Sequence, residues 1–272
     1  SDFMLITLAG PVHTYMYFKR QWTLGYYGCQ FYGFWVHTVS VASLTHLTVM
    51  SVERYLIIKS RKKAESRPFR YQLLFIIFAW GYAIFWAVLP FFGWSAYVKE
   101  GLHTGCAPEW VSRKAIDVSY NIVLIVTEFL LPLAIILWAY CKLLDKIKEH
   151  TRSMAQSQNS EVAIKRGEVV VRSTMRMVIL MVVAFVFSWL PYSGICVWAM
   201  VVGKRDLPPL AAAVPALFAK SSVIWNPLIY GTKHIAFRNE LHDMFRRLRG
   251  KSASGVQPEK ENTNTVETTR EP

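Results

Sequence analysis

The 272-residue chain carries 31 Lys and Arg against 18 Asp and Glu, a net charge of +13, yet it is 53% hydrophobic and only 18% charged. With a mean hydropathy of +0.24, it is too apolar for an ordinary soluble domain and reads as an all-α polytopic membrane protein. The basic excess does not indicate nucleic acid, because Lys and Arg gather in short clusters between long apolar runs. The four cysteines, Cys29, Cys106, Cys141 and Cys196, have no metal-ligand spacing.

The apolar runs cover 2–18, 27–58, 72–92, 116–144, 175–202 and 207–231. Crossing a bilayer takes about 20 residues of helix, and the runs lack the alternation of a β-barrel, so they are read as six helical spans. The first is the shortest, and the chain starts at Ser1 with no visible signal peptide, so a beginning of that span and one further helix upstream are expected. Pro90, Pro132, Pro191, Pro215 and Pro227 fall inside the spans, where lipid-embedded helices accept them as kinks.

Loop charge sets the orientation. Lys59, Arg61, Lys62, Lys63, Arg67 and Arg70 follow the second span, and Lys142 to Arg176 around the fourth connection are similarly basic. A third cluster, including Lys233, Arg238, Arg246 and Arg247, follows the sixth. The alternate connections are poor in Lys and Arg, so the basic ones are expected on the cytoplasmic side. Past the last span, 235–248 places Ile235, Phe237, Leu241, Met244, Phe245 and Leu248 mostly on one face, which predicts a short helix in the membrane interface. From 250 to 272 the chain is polar, without aromatics, and expected to be a disordered tail, with Ser252, Ser254, Thr263, Thr265, Thr268 and Thr269 open to phosphorylation. The division is thus a membrane domain over 1–249 and a cytoplasmic tail over 250–272.

Within the last span, Lys220 lies two or more turns from either end. A bare ammonium at that depth costs at least ~3 kcal/mol on insertion scales, so such a group is paired, neutralised or functional. The functional reading is a desolvated amine that condenses with a carbonyl compound; the other is a lysine aimed into a water-filled cavity. Cys29 opens the second span and Cys106 lies in the outer loop. Both face an oxidising compartment, so a disulfide is expected, against the alternative of two free thiols. Cys141 and Cys196 are expected to be inert packing residues.

Several short motifs gain weight from their order and sidedness. Asp2, Cys29, Glu53-Arg54-Tyr55, Trp80, Gly93-Trp94, Cys106, Pro132 with Tyr140, Trp189-Leu190-Pro191 and Asn226-Pro227-Leu228-Ile229-Tyr230 follow one another along the spans. With these residues the chain resembles a rhodopsin-like, class A G-protein-coupled receptor. Lys220, six residues before Asn226, makes it similar to an animal opsin. The resemblance covers about nine-tenths of the chain and implies a seven-transmembrane-helix receptor fold lacking its first helix here, not an enzyme.

The resemblance implies retinal, carried on Lys220 as a protonated Schiff base, and photoisomerisation that drives a heterotrimeric G protein. Vertebrate visual opsins place the counterion three residues after the first disulfide cysteine, where this chain has Tyr32. Glu100, six residues before Cys106, matches the other opsin counterion position and is the expected partner, against the alternative of an exposed loop glutamate. Such an arrangement implies a bistable pigment. The pocket is expected to be lined by Tyr32, Gly33, His37, Glu128, Trp189 and Tyr192. Glu53, Arg54, Tyr55, Asn226, Pro227 and Tyr230 are expected at the G-protein end. The acid that often faces the arginine from the sixth family helix is replaced by Val171, with Arg172 next and Glu168 nearby. The inactive state is then expected to rest on Glu53–Arg54, with some activity in the dark. His234-Ile235-Ala236 matches neither common coupling tripeptide of opsins, which leaves the G-protein class open, and no cysteine follows the interfacial helix to carry a palmitate. Arrestin and a receptor kinase are implied at the tail, membrane lipid around the spans, and the cell membrane as location. Three other readings stand: a retinal photoisomerase without signalling, against which the intact cytoplasmic motifs speak; a microbial-type ion pump, for which the spans offer few carboxylates beyond Glu128; and a ligand-gated receptor in which the lysine is accidental.

Overall fold

A computed structural model describes residues 1–59, 69–155, 161–202, 208–233 and 235–248. The loop at 60–68, the segments 156–160 and 203–207, His234 and the tail at 249–272 lie outside the described residues. The expectations for the tail, its phosphoacceptors and His234 therefore concern residues outside that set.

The first rod is α1 (Asp2–Met4), a π-helical turn Leu5–Ala9 and α2 (Gly10–Lys19). Proline in a helix clashes with the carbonyl four residues back. Pro11 does this to Thr7, and the wide turn around Thr7 absorbs it. Next comes α3 (Gly25–Lys59), 35 residues long and the hub of the molecule, against which α4 (Phe69–Val88), α6 (Leu131–Ala155) and the hairpin all pack. Fully buried Ala42 and Ala83 let α3 and α4 approach closely, as small residues do between membrane helices.

Leu89–Phe92 tightens the end of α4 into a single 3₁₀ turn, stopped by Gly93 at φ 89°. A hairpin follows, with β1 (Tyr97–Glu100) antiparallel to β2 (Gly105–Pro108) and Glu100 opposite Gly105. All of β2 is buried. Cys106 is bonded to Cys29 with a Cα–Cα distance of 5.5 Å, which ties β2 to the start of α3.

The next rod repeats the device of the first. α5 (Ala115–Leu124) widens into a π-helical turn at Ile125–Leu130 before α6. Pro132 acts here on the carbonyl of Glu128, within the wide turn. α7 (Glu161–Val202) runs 42 residues through Pro191. The last expected span, 207–231, is two helices: α8 (Pro209–Lys220) and α9 (Ser222–Lys233) meet at Ser221. Ser221 caps the break, its N–H donating to the Leu217 and Phe218 carbonyls and its Oγ to Phe218 O at 2.7 Å. α10 (Ile235–Leu248) follows, with Met244 and Phe245 exposed.

Among the described residues, three stretches, Phe69–Phe92, Ala115–Lys146 and Arg176–Val201, are helices long and apolar enough to cross a membrane. Their large side chains point outward, among them Leu74 at 63%, Leu137 at 65% and Phe187 at 63% exposure, the reverse of a soluble fold. α3 is less apolar because its inner face carries buried Thr38, Ser40, Thr45, Thr48 and Ser51. Thr38, Thr45, Thr48 and Ser51 each donate to the carbonyl four residues back, which satisfies the hydroxyls within the helix.

Candidate functional site

Lys220 is the last residue of α8, placed by the break at Ser221. Its Nζ lies 3.8 Å from Glu100 Oε2, with the two side chains 22% and 14% exposed. The other carboxylate oxygen, Oε1, accepts a 2.5 Å hydrogen bond from Tyr192 Oη on α7. Tyr192 thus fixes the carboxylate and leaves Oε2 toward the amine. Two unit charges at this separation attract by about 4 kcal/mol at an effective dielectric of 20. Desolvation opposes much of that gain, so the pair is worth most as a specification of where charge must sit.

The amine opens into a cavity whose empty volume is about 950 Å³, mouth included. Gly33, His37, Glu128, Trp189 and Tyr192 all line it, as do Glu100 and Lys220. Gly33 is required by close approach: a Cβ there would meet the Tyr97 ring at 2.5 Å. Trp189 stacks on Phe185 at 5.5 Å and donates to Ser222 Oγ at 3.2 Å, linking the cavity wall to α9. Buried Cys196 also lines the cavity, whereas Cys141 is exposed. Tyr32 differs from its expectation. One residue before Gly33, it is turned by about 100° around α3 and packs with Trp22 toward the first rod, outside the cavity wall.

A second polar cluster stands on the α3 and α5–α6 side. His37 Nε2 lies 3.0 and 2.9 Å from the two Glu128 oxygens, with side chains only 8% and 13% exposed. The π-helical turn that Pro132 imposes is the local structure carrying Glu128. His37 Nδ1 is 3.0 Å from Tyr97 Oη, which itself donates to Ala87 O at 2.7 Å. Burial, then Tyr120 and Glu128, push the Tyr97 phenol well above its ordinary range, so it remains a donor. With its proton given to Ala87, Tyr97 is left to accept from His37 Nδ1, and Nε2 faces the Glu128 carboxyl. β1 therefore supplies Tyr97 to this cluster and Glu100 to the other, about 10 Å apart along the strand.

Elsewhere, Asp2 receives hydrogen bonds from Ser43 Oγ at 2.8 Å and Asn226 Nδ2 at 2.6 Å, joining three helices. At the other end of α3, Tyr55 is buried against Trp138, with ring centroids 5.3 Å apart, while Arg54 is exposed. The expected Glu53–Arg54 pairing is absent among the described residues. Neighbours in a helix point about 100° apart and do not face each other. Pro227 and Tyr230 belong to α9, and Glu168, Val171 and Arg172 to α7. The side chains of Tyr230, Glu168, Val171 and Arg172 lie outside the described residues.

Sequence reasoning missed His13 and Tyr97. His13 had the signal used for Lys220, an ionisable group inside an apolar run. Tyr97 had none, since a loop tyrosine is ordinary.

The profile of the "7 transmembrane receptor (rhodopsin family)" matches residues 1–230. Human melanopsin is 34% identical over 244 residues, 88% of this chain and 51% of that protein. Chicken (Gallus gallus) pinopsin is 33% identical over 242 residues, 88% of this chain and 64% of that protein. The chain thus spans about half to two-thirds of the length of these relatives. The crystal structure of squid rhodopsin superposes with a TM-score of 0.80 at 28% identity, covering 88% of this chain and 70% of that one. The chain belongs to the rhodopsin family of seven-transmembrane receptors, with opsins among its relatives.

Proposed function

We propose that this chain belongs to a light-sensing receptor of the cell membrane that holds retinal on Lys220 as a protonated Schiff base, with Glu100 as counterion. The observation that carries the reading is the amine at the end of an apolar cavity, with a fixed carboxylate 3.8 Å away. Those residues fit a long apolar aldehyde, and an amine and a carboxylate are what forming such a linkage and balancing its charge require. When bound, retinal supplies the light-driven change of shape.

The protein's own residues then do the rest. Tyr192 holds Glu100 in place, and Trp189 on the cavity wall couples the ligand to α9 through Ser222. Asp2, Ser43 and Asn226 connect α9 to α3, which leads to Arg54 and Tyr55 at the end where a heterotrimeric G protein would bind. The basic loops and tail face the cytoplasm, where arrestin and a receptor kinase would act. With Tyr32 outside the cavity wall and Glu100 on the hairpin, the pigment is bistable.

The test is to add 11-cis-retinal to the protein and record its spectrum and second messengers in light and dark. A visible band, absent in Lys220→Ala, together with light-dependent signalling is expected. A band without signalling would point instead to a photoisomerase, and no band at all would end the retinal reading. Release of free retinal within seconds of illumination would sink bistability.

A further inference from the structure

Lys220 is approached from two sides. Besides the large cavity, a smaller recess reaches it from between α2 and α8, walled by His13, Tyr17, Thr104, Ala213 and Leu217 and sharing Glu100 and Lys220 with the first. His13 belongs to the recess and not to the wall of the large cavity. A Cβ built on Gly105 would lie 3.4 Å from His13 Nδ1 and 3.7 Å from Lys220 Nζ. The bare glycine thus leaves imidazole and amine facing one common gap. His13 Nδ1 is also 3.4 Å from Tyr32 Oη, and Nε2 makes no hydrogen bond among the described residues. An imidazole whose Nδ1 faces the same gap as the amine, with a buried tyrosine hydroxyl 3.4 Å from that nitrogen, is placed to exchange protons across it. Glu100 is poorly placed for that task, because Tyr192 and Lys220 already engage both its oxygens.

We propose that the recess admits water to Lys220 and that His13 carries the proton when the covalent bond there is made and broken. This rests on the reading in which Lys220 holds an aldehyde. In breaking it, water adds to the carbon of the C=N bond and gives one proton to His13. His13 passes that proton to the lysine nitrogen, and the C–N bond cleaves with its electron pair going to nitrogen. The hydroxyl proton leaves as the carbon keeps the oxygen as C=O, and the freed amine takes it up. Both protons of the water thus end on Lys220 as its ammonium. Attachment is the reverse and releases one water. Tyr32, at the position where visual opsins carry a counterion, serves here to orient His13.

Two measurements test this. In the ligand-free protein, formaldehyde with cyanoborohydride labels accessible amines, and peptide mass spectrometry compares Lys220 with Lys99 as internal reference. In the retinal-loaded protein, hydroxylamine in the dark removes the visible band at a rate that reports access and proton transfer. His13→Leu is expected to slow both at least ten-fold, within the range that general acid–base catalysis supplies. His13→Gln, which can keep the bond to Tyr32, is expected to stay slow in hydroxylamine. Ala213→Leu, which fills the recess from α8, is expected to slow labelling of Lys220 but not Lys99, and it decides the matter if His13→Leu does not fold. Rates within two-fold of the parent in the variants that fold would overturn the proposal. Labelling that depends on His13 in a protein that forms no visible band would sink the retinal reading and leave the recess standing.

Discussion

Three acid–base pairs among the described residues rank one way by distance and another by consequence. Lys146 and Glu149 are closest at 2.6 Å, yet their side chains are 43% and 66% exposed. His37 and Glu128 lie 2.9 Å apart and are nearly buried, while Lys220 and Glu100 are 3.8 Å apart at 22% and 14% exposure. Water screens the first pair, so its geometry costs little to lose. The second lines the large cavity but has its polar atoms engaged: both carboxylate oxygens contact one ring nitrogen, and the other nitrogen is taken by Tyr97. The third is open, with the acid held by Tyr192 and the amine facing two cavities. The second pair has no ring nitrogen left unengaged, whereas the third leaves its amine available to the cavities.

Four experiments would break or sharpen that ranking, beginning with the largest effect. Lys220→Ala should abolish the visible band completely, because no other amine among the cavity's lining residues can replace it; a band surviving in the difference spectrum would contradict this. Glu100→Gln should move the loss of the visible protonated form to lower pH by about 1–3 units. The sign follows from charge: the anion favours the protonated linkage, so removing it lets the proton leave earlier as pH rises. An unchanged spectrophotometric titration would exclude Glu100.

At the His37–Glu128 pair, Glu128→Leu or His37→Phe alone should lower the melting temperature by the equivalent of about 3 kcal/mol. The double variant His37→Phe with Glu128→Leu should recover most of that loss, since two apolar groups leave no stranded charge; a thermal-shift double-mutant cycle reads the coupling. Additive losses would mean that the two residues do not act as a pair. The smallest effect belongs to Glu149→Gln. The hydrogen bond from Lys146, then its charge, hold the Glu149 carboxyl below its ordinary range. Any stabilisation is therefore present above that range and lost as pH falls through the lowered value. The group is fully exposed, so no change in melting temperature is expected at neutral pH.

Much of the site was legible before the fold. Lys220 stood out because charge in an apolar run is costly, and Cys29 with Cys106 because loop charge led both to be expected on the oxidising side. Their disulfide is present. What was not legible follows a pattern. Tyr32 and Gly33 are neighbours in sequence, yet one packs toward the first rod and the other lines the cavity. The Glu53–Arg54 expectation failed on the same turn of the helix, because adjacency in sequence is divergence in space.

The sequence by itself determined where apolar runs can become helices, which connections are basic, and which charge lay deep inside an apolar run. Those are properties of single segments against water or lipid, and composition reports them directly. The tertiary structure alone decided that Glu128 meets His37, that β1 feeds both clusters, and that Lys220 ends a helix at Ser221 with His13 across a gap from it. Each of those depends on how helices are rotated and how far they approach. Here that was set by side-chain volume at Ala42, Ala83 and Gly33, by the wide turn before Pro132, and by the break at Ser221.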